Sequence, residues 1–474
     1  MDNFLRVKGA NLLNQRGKKI VLRGVNKMFV FEPDLSKRVG KNILPEIAKT
    51  GANCVRIAWG MGRVSGKDAQ ENDIVIPTTS GELDTVITNC KANGMIPVVG
   101  LWDFTGDNPD GGLSRLSEYV DFWISPNILA VLKKHEESLI INIANEASPI
   151  APEGDNNDYL ITNLPFFINQ YTAAIQRMRA AGINVPLMID GLDMGKSLRG
   201  FSFPEGGQTM NPAQQLLSAD SLQNLIFSFH AYWNKKDTDS AGAFVENVFN
   251  QAVTDGYCFV IGELSKYGAF AGQKVSICTD DGIVDYLRFA QLCSLNHVGY
   301  ILWEWGPGNE KGQINAFDAV GNPILDVNGN QTKIDDIQCI KMNMTTDGTF
   351  KSLNGWGLFS IGVFDFKMTA SPVFRAKKGI DVKKELVGHS LTFTWNVING
   401  ADFLGFQLIE NPPVGGAGGD FFHINIPTKI EPLDKPPFRI KYKTKNRNEI
   451  QIFKFALRVT NIKTASTIDI PLNN

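Results

Sequence analysis

Cysteine is scarce in this chain. Its 474 residues include six, at positions 54, 90, 258, 278, 293 and 339. No two of them stand in a CxxC pair, which disfavours a zinc ribbon. Cys54 and Cys258 each begin an apolar run, so we expect both to be buried free thiols.

Long apolar runs are also missing. No stretch approaches the ~18 consecutive apolar residues of a transmembrane helix, so we expect no membrane-spanning segment. The N-terminal residues MDNFLRVKGA have no apolar core of the kind that a signal peptide carries. Either the protein stays inside the cell, or a signal peptide has been removed ahead of this sequence.

An excess of charge of one sign is the third absence. The chain has 47 Lys and Arg against 49 Asp and Glu, a formal net charge of −2, and neither sign is strongly clustered. This balance disfavours nucleic acid or an anionic membrane surface as the main partner. A chain of this length is too long for one small domain, and one large domain with one small domain is expected.

Eight short β-rich runs follow one another at intervals of roughly 30 to 45 residues, with helix-compatible segments between most of them. The runs are KIVLRGVN (19–26), CVRIAW (54–59), IPVVGLWD (96–103), LIINIANE (139–146), PLMIDG (186–191), LIFSFHAY (225–232), CFVIGEL (258–264) and GYILWEW (299–305). Apolar strands that alternate with helices are typical of a parallel sheet covered on both faces. Eight such units predict an α/β fold, a (β/α)8 TIM barrel over residues 1–377. A doubly wound open sheet is the alternative, but the first strand leads into no Gly-rich turn.

The pattern changes from about residue 378. Runs such as SLTFTWNVI and QIFKFALRVT alternate or stay apolar over short lengths, separated by Gly, Pro and Asn, and no helical stretch stands out. This pattern predicts an all-β sandwich over residues 378–474. We expect a structural or spacer role for it, because Trp395 is its one indole and alternates with Phe393.

Acidic residues end two of the predicted barrel strands. Catalytic groups of such barrels lie at the C-terminal ends of the strands, where Asn145 and Glu146 end the fourth strand and Glu263 ends the seventh. These two strands face each other across the barrel mouth, so two carboxylates can flank one bond. Paired carboxylates are what retaining glycoside hydrolysis requires.

Other strand ends carry polar or aromatic side chains. His230 and Tyr232 share a face by the period-two rule. Arg56 lies among apolar residues and needs an acid partner if it is buried. His230 could instead be a satisfied core histidine, and Trp303 could be core or a stacking platform for a sugar ring.

At these residues the sequence resembles family 5 glycoside hydrolases. The resemblance covers about residues 5 to 370 and rests on ANE, HAY, GEL and a tryptophan at the fourth, sixth, seventh and eighth strands, in that order. It implies that Glu146 is the acid/base and Glu263 the nucleophile. It further implies sugar-binding or supporting roles for Asn145 (sugar 2-hydroxyl), Tyr232 and Arg56 (nucleophile), His230 (sugar or acid network) and Trp303 (floor of the cleavage subsite).

Finer resemblance is to the bacterial β-mannanase-like branch, through VVGLWDFTGDN, YVDFW and WEWGPGN. That branch has His-Asp where this sequence has Trp102 and Asp103. We predict that Trp102 points into the cleft and pairs with Trp303 on its opposite side; the alternative is that it points outward under the DFTGDNPDGG loop and only packs. Glucan and mannan differ by the orientation of one hydroxyl, and both stay open as substrates.

The prediction is a retaining, endo-acting β-1,4-glycanase acting on cellulose-type β-glucan or β-mannan. We expect no metal and no organic cofactor, since two carboxylates supply the proton transfer and the covalent chemistry. No GxSxG motif supports a serine hydrolase. The alternative is a non-catalytic polysaccharide-binding barrel. We expect a monomer that is secreted, at the cell surface or in the periplasm, with no nucleic-acid or membrane partner.

Overall fold

The computed structural model contains a closed barrel of eight parallel strands, and the prediction of a (β/α)8 barrel is confirmed. The strands, β1 to β8 in order around the barrel, are Arg23–Lys27, Cys54–Trp59, Ile96–Leu101, Ile140–Asn142, Leu187–Asp190, Leu225–Ala231, Phe259–Leu264 and Gly299–Leu302. β4 is shorter than its predicted run, because the chain leaves the strand at Asn142, ahead of Glu146.

The structure describes most of the barrel and the strands of the C-terminal region. The described residues are 4–32, 35–63, 65–67, 73–75, 78–106, 110–151, 157–203, 210–232, 242–267, 284, 286–307, 312–315, 325, 327, 329, 333–336, 342–353, 356–357, 360, 380–387, 390–397, 403–411, 425–426, 438–443, 454–461 and 467–471.

Helices follow the strands and cover the outside of the barrel. They are Leu35–Arg38, Ile43–Ala48, Ser80–Ala92, Leu116–Ile124, Pro126–Lys134, Asn157–Ala180, Arg199–Ser202, Pro212–Ala219, Gly242–Asp255 and Tyr286–Asn296. The helix after β2 begins with a capping box, in which Thr79 and Glu82 each bind the other's backbone N–H. The main apolar core lies between these helices and the outward-facing strand residues such as Val55, Ile57 and Ile141.

The barrel interior changes from apolar to polar along its axis. Near the N-terminal ends of the strands it is filled by inward apolar residues, among them Cys54, Val98, Ile140 and Met188, and this layer packs against the N-terminal segment. That segment is a three-stranded antiparallel sheet, Arg6–Lys8, Asn11–Leu13 and Lys19–Ile20. Two residues further along several of the strands, on the same face, stand buried polar side chains such as Arg56, Asn142 and Asp190.

The region after the barrel forms antiparallel sheets. One has three strands, Ile380–Val387, Ser390–Val397 and Phe438–Lys443; the other has four, Asn425–Ile426, Phe403–Asn411, Lys454–Asn461 and Thr467–Pro471. The predicted domain boundary at residues 377 and 378 lies outside the described residues. The packing of the two sheets into a sandwich stays a prediction.

The structure tests the expectations about the cysteines and about membrane-spanning segments. Cys54 and Cys258 are buried free thiols, as predicted, and burial raises the pKa of each to about 12, so both stay protonated. Among the described residues, no helix has both the length and the apolar character needed to cross a membrane.

Candidate active site

Glu146 lies just beyond the end of β4, at the mouth of the barrel. Its backbone has φ 49°, in the left-handed region that residues with a Cβ rarely adopt. Its N–H donates to Oδ2 of Asp190 at 3.2 Å, and its Oε1 lies 2.6 Å from Nδ1 of His230. The backbone of Glu146 is therefore held by β5, through Asp190, and its side chain by β6, through His230.

Glu263 lies in β7 and is 2% exposed. Arg56 donates to its Oε1 at 2.6 Å, and the Tyr232 hydroxyl donates to its Oε2 at 2.7 Å. Each carboxylate oxygen thus has its own donor, which fixes the orientation of the group.

The two carboxylates lie close together. One oxygen of Glu146, one oxygen of Glu263 and a ring nitrogen of His230 all lie within 4.8 Å of one another. Retaining glycosidases hold their two carboxyl groups ~5 to 5.5 Å apart, whereas inverting enzymes need ~6.5 to 9.5 Å to admit a water molecule. The same three side chains could offer ligands to a metal ion, but Nδ1 of His230 is already engaged by Glu146.

Arg56 connects Glu263 with Asp190 and Asn145, which lie next to Glu146. It projects from β2 into the barrel, is fully buried, and donates to oxygens on four other strands. Its partners are Asn26, Asn142, Asn145, Asp190 and Glu263. Burial lowers the pKa of Arg56, but Asp190 and Glu263 outweigh burial and the pKa rises, so the guanidinium stays charged.

His230 is a buried cation of the site. Besides Glu146, its ring faces Oδ1 of Asp190 at 3.5 Å and Oε2 of Glu263 at 3.6 Å. Burial alone would lower the pKa of His230, but these anions raise it to about 10. The ring is therefore an imidazolium at neutral pH, which matches the contacts with carboxylates on both of its nitrogens.

The pKa of Glu263 is set by opposing influences. Burial raises it above the ordinary value for glutamate, and repulsion from Glu146 acts in the same direction. His230, Arg56 and the Tyr232 hydroxyl act against burial, since each stabilises the ionised carboxylate. The raised pKa means that this group takes up its proton at a higher pH than an exposed glutamate does.

The structure brings Trp102 and Trp303 into direct contact. Their rings stack with centroids 5.5 Å apart and an interplanar angle of 17°. The expectation that they lie on opposite sides of the cleft is therefore wrong. Trp102 directly follows β3 and Trp303 directly follows β8, and the two rings lie face to face. The Trp102 Nε1 atom is buried and has no hydrogen-bond partner among the described residues.

The side chains of Asp103 and Asn145 form hydrogen bonds with other residues of the protein. Asp103 accepts hydrogen bonds from the backbone N–H groups of Met61 and Arg63, so it holds the loop after β2. Asn145 accepts from Arg56 and donates to Thr105, which leaves one amide hydrogen for the sugar contact that the family resemblance implies.

Sequence reasoning missed the rest of the polar layer inside the barrel. Two glycines make room for it: a Cβ on Gly100 would lie 2.7 Å from Asn142 Oδ1, and one on Gly262 would lie 2.1 Å from Ser228 Oγ. The period-two rule could have found most of this layer, since every member except Asn26 stands two residues after an inward apolar residue. The missed residues are Asn26, Asn142, Asp190 and Ser228.

Comparison with known proteins identifies the family. The Cellulase model of glycosyl hydrolase family 5 matches residues 13–309. The chain is 29% identical over 331 residues to a mannan endo-1,4-beta-mannosidase of Streptomyces lividans, covering 68% of this chain and 73% of that protein. It is also 29% identical over 316 residues to a mannan endo-1,4-beta-mannosidase of Cellvibrio japonicus (strain Ueda107), covering 67% of this chain and 62% of that protein.

A solved structure shares the fold. A beta-mannanase from Streptomyces thermolilacinus, crystallised with mannohexaose, superposes with a TM-score of 0.55 at 23% identity, over 78% of this chain and 98% of that chain. The family match spans more than half of the 474 residues and includes both strands that carry the paired carboxylates. This chain belongs to glycosyl hydrolase family 5.

Proposed function

We propose that the protein is a retaining endo-β-1,4-mannanase, with Glu263 as nucleophile and Glu146 as acid/base. The observation that carries the proposal is the carboxylate spacing, because oxygens of the two groups lie within 4.8 Å of each other. That spacing suits direct attack on the sugar and leaves no room for a water molecule between carboxylate and substrate.

The reaction proceeds by two displacements. A carboxylate oxygen of Glu263 bonds to the anomeric carbon as the glycosidic bond breaks, and Glu146 gives its proton to the leaving oxygen. Glu146, now ionised, takes a proton from water, which attacks the anomeric carbon and releases Glu263. Arg56 and Tyr232 orient Glu263 for the first displacement, and they also stabilise its charge when it leaves in the second.

Mannan is the proposed substrate, since the two relatives described above are named as mannan endo-1,4-beta-mannosidases. Release of reducing sugar from linear β-mannan, galactomannan and carboxymethylcellulose tests this choice. We expect hydrolysis of the mannans to dominate, with a rapid fall in viscosity as the mark of endo action. Preference for the cellulose derivative would contradict the substrate and leave the mechanism standing.

The stereochemistry of the product tests the mechanism. Proton NMR of a mannooligosaccharide digest should show the β-anomer first, with the α-anomer growing later by mutarotation. An α-anomer at the start would contradict retention. Release of no sugar, together with retardation of the protein in a mannan-containing gel, would favour the non-catalytic polysaccharide-binding barrel.

We also infer that residues 378–474 form an accessory β-sandwich with a structural or spacer role. A chain ending at residue 377 should then match the full chain in kcat/KM on soluble mannan and in the fraction bound to insoluble mannan. Loss of binding in the shortened chain would make the segment a binding module.

The proposal extends to location and assembly. A polysaccharide too large to enter a cell requires an enzyme that is secreted, at the cell surface or in the periplasm, and we propose a monomer with no nucleic-acid partner. Light scattering after size exclusion should give a mass near 52.3 kDa. A dimer mass, or activity confined to the cytoplasm of the source cells, would contradict these points.

A further inference from the structure

Asp190 stands behind both proposed catalytic carboxylates. It is the last residue of β5, and only 1% of its surface is exposed. Its Oδ2 accepts hydrogen bonds from Arg56 at 3.0 Å and from the Glu146 backbone at 3.2 Å, and its Oδ1 faces His230 at 3.5 Å. We propose, on the basis of the proposed function, that Asp190 is a positioning residue. It holds both catalytic groups in place and stays the counter-ion of Arg56 and His230 through the two displacements.

The first part of the argument concerns the backbone of Glu146. A residue with a Cβ stays in the left-handed region only when its surroundings hold it there. Asp190 accepts from the N–H of Glu146, and the Glu146 carbonyl accepts from the N–H of Ser148 at 2.7 Å. Asp190 is thus one of two anchors that keep the Glu146 side chain aimed across the mouth.

The second part concerns charge. The basic groups of this buried layer are Arg56 and His230, and its carboxyl groups are those of Glu146, Glu263 and Asp190. Tyr232 meets the ring of His230 edge-on, and Gly195 of the loop after β5 packs against the ring. Charges on that loop, Asp193 and Lys196, are paired with each other at 3.2 Å.

Of these three carboxyl groups, Asp190 alone keeps its charge throughout the reaction. Glu146 begins protonated and becomes ionised, whereas Glu263 begins ionised and becomes a neutral ester in the glycosyl-enzyme. Burial would raise the pKa of Asp190, but His230 and Arg56 hold that pKa below its usual range, so the group stays ionised. Each cation therefore has a constant counter-ion while the reacting carboxylates change charge.

The test compares Asp190→Asn with the matched control Asp193→Asn. Both changes remove one buried carboxylate, at the end of β5 and in the loop that follows it, but Asp193 bonds Lys196 and the Ala151 N–H and does not contact His230 or Arg56. In Asp190→Asn we expect kcat to fall about 10²-fold, the order of loss that a small displacement of catalytic groups causes, with KM little changed. The alkaline limb of kcat/KM should also move to lower pH, because the hydrogen-bonded pair of His230 and Glu146, the acid of the first displacement, has lost a neighbouring anion that holds its protons. Asp193→Asn should move this alkaline limb less, because the Asp193 carboxylate acts on Glu146 only through its charge and is paired with Lys196.

An unmoved alkaline limb in Asp190→Asn, or an equal shift in Asp193→Asn, would overturn the proposal. If Asp190→Asn does not fold, Asp190→Ser removes the carboxylate without adding volume. Failure of both to fold while Asp193→Asn folds would make the role structural and would also overturn it. Should the wild type hydrolyse no polysaccharide, the proposed function fails, and NMR titration of the His230 ring still decides the charge argument. That titration must move to lower pH in Asp190→Asn for the argument to stand.

Discussion

The Tyr232 hydroxyl donates a 2.7 Å hydrogen bond to Oε2 of Glu263, the oxygen that Arg56 leaves free. This bond stabilises the ionised carboxylate, in opposition to the burial that raises the pKa of Glu263. Tyr232→Phe removes the donor, so the pKa should rise further. Because attack requires the ionised form, the acidic limb of kcat/KM should move to higher pH.

A pH–rate profile of Tyr232→Phe measures this shift. Tyr257→Phe is the matched control, since the Tyr257 hydroxyl is also buried and hydrogen-bonded, to Ser202 at 2.8 Å, but lies away from the site. The control should keep the wild-type acidic limb. A limb that stays in place or moves to lower pH in Tyr232→Phe would mean that the hydroxyl does not act on the charge of Glu263.

Glu263→Gln should abolish turnover and leave the fold intact. The amide cannot form the covalent intermediate, so we expect kcat to fall on the order of 10⁴-fold or more. Folding should persist because Arg56 keeps its ion pair with Asp190 at 3.0 Å. Assays on mannan measure the loss of turnover, and thermal melts followed by circular dichroism measure folding. Activity above about a tenth of wild type would refute the nucleophile assignment, because it corresponds to a loss of only ~1.4 kcal/mol in transition-state stabilisation.

Much of the fold could be predicted because strand order follows from sequence. The apolar runs and the helices between them fix eight parallel units, and the C-terminal ends of those units carry Glu146 and Glu263. Most of the inner polar layer follows the same rule, but Asp190 in PLMIDG gives a weak signal in the sequence, because a single acid before glycine is also typical of a turn.

Other features depend on contacts between distant segments. The register of β6 against β7 shifts between Phe229 and His230, and this irregularity cannot be read from either strand alone. The stack of Trp102 on Trp303 likewise depends on how the chain leaves β3 and β8. Alternation along one strand gives the face of a side chain but not its partner across the barrel.

A stability prediction concerns Arg179 and Asp220, on the outside of the barrel. Two hydrogen bonds of 2.8 and 2.9 Å join them, and the exposed fractions of their side chains are 5% and 0%. Arg179→Met leaves the Asp220 carboxylate buried without its cation, so we expect the free energy of unfolding to fall by about 3 to 5 kcal/mol at neutral pH. Kinetic constants of the folded fraction should not change.

The pH dependence of that loss follows from the pKa of Asp220. Burial would raise this pKa, but Arg179 outweighs burial and the pKa is lowered in the folded protein. A lowered carboxylate pKa contributes stability that is present above the unfolded value of ~3.9 and is lost as the pH falls through the folded value. The difference between wild type and Arg179→Met should therefore shrink below about pH 4 in urea titrations, and a constant difference would show that the ion pair is not its source.

Trp102 lies at the end of β3, in contact with Trp303, and its role can be tested with two substitutions. Trp102→Ala removes both the ring stacked on Trp303 and the buried Nε1–H that has no partner among the described residues. Trp102→Phe keeps a stacking ring and removes only the N–H donor. If the ring and donor meet the sugar, Trp102→Ala should raise KM and lower kcat together.

The expected size follows from the contacts. A sugar stacked on the Trp102 ring with the ~0.5 to 1.5 kcal/mol that an aromatic pair contributes would correspond to roughly a two- to twelvefold effect on kcat/KM. Trp102→Phe should retain most of kcat and raise KM, because the platform remains while one donor to a sugar hydroxyl is lost. Arg56, whose guanidinium lies 5.7 Å from the Trp102 ring, keeps its carboxylate partners in both variants. Unchanged kinetics on every mannan, with a lower melting temperature for Trp102→Ala, would show that the ring only packs against Trp303 and does not contact substrate.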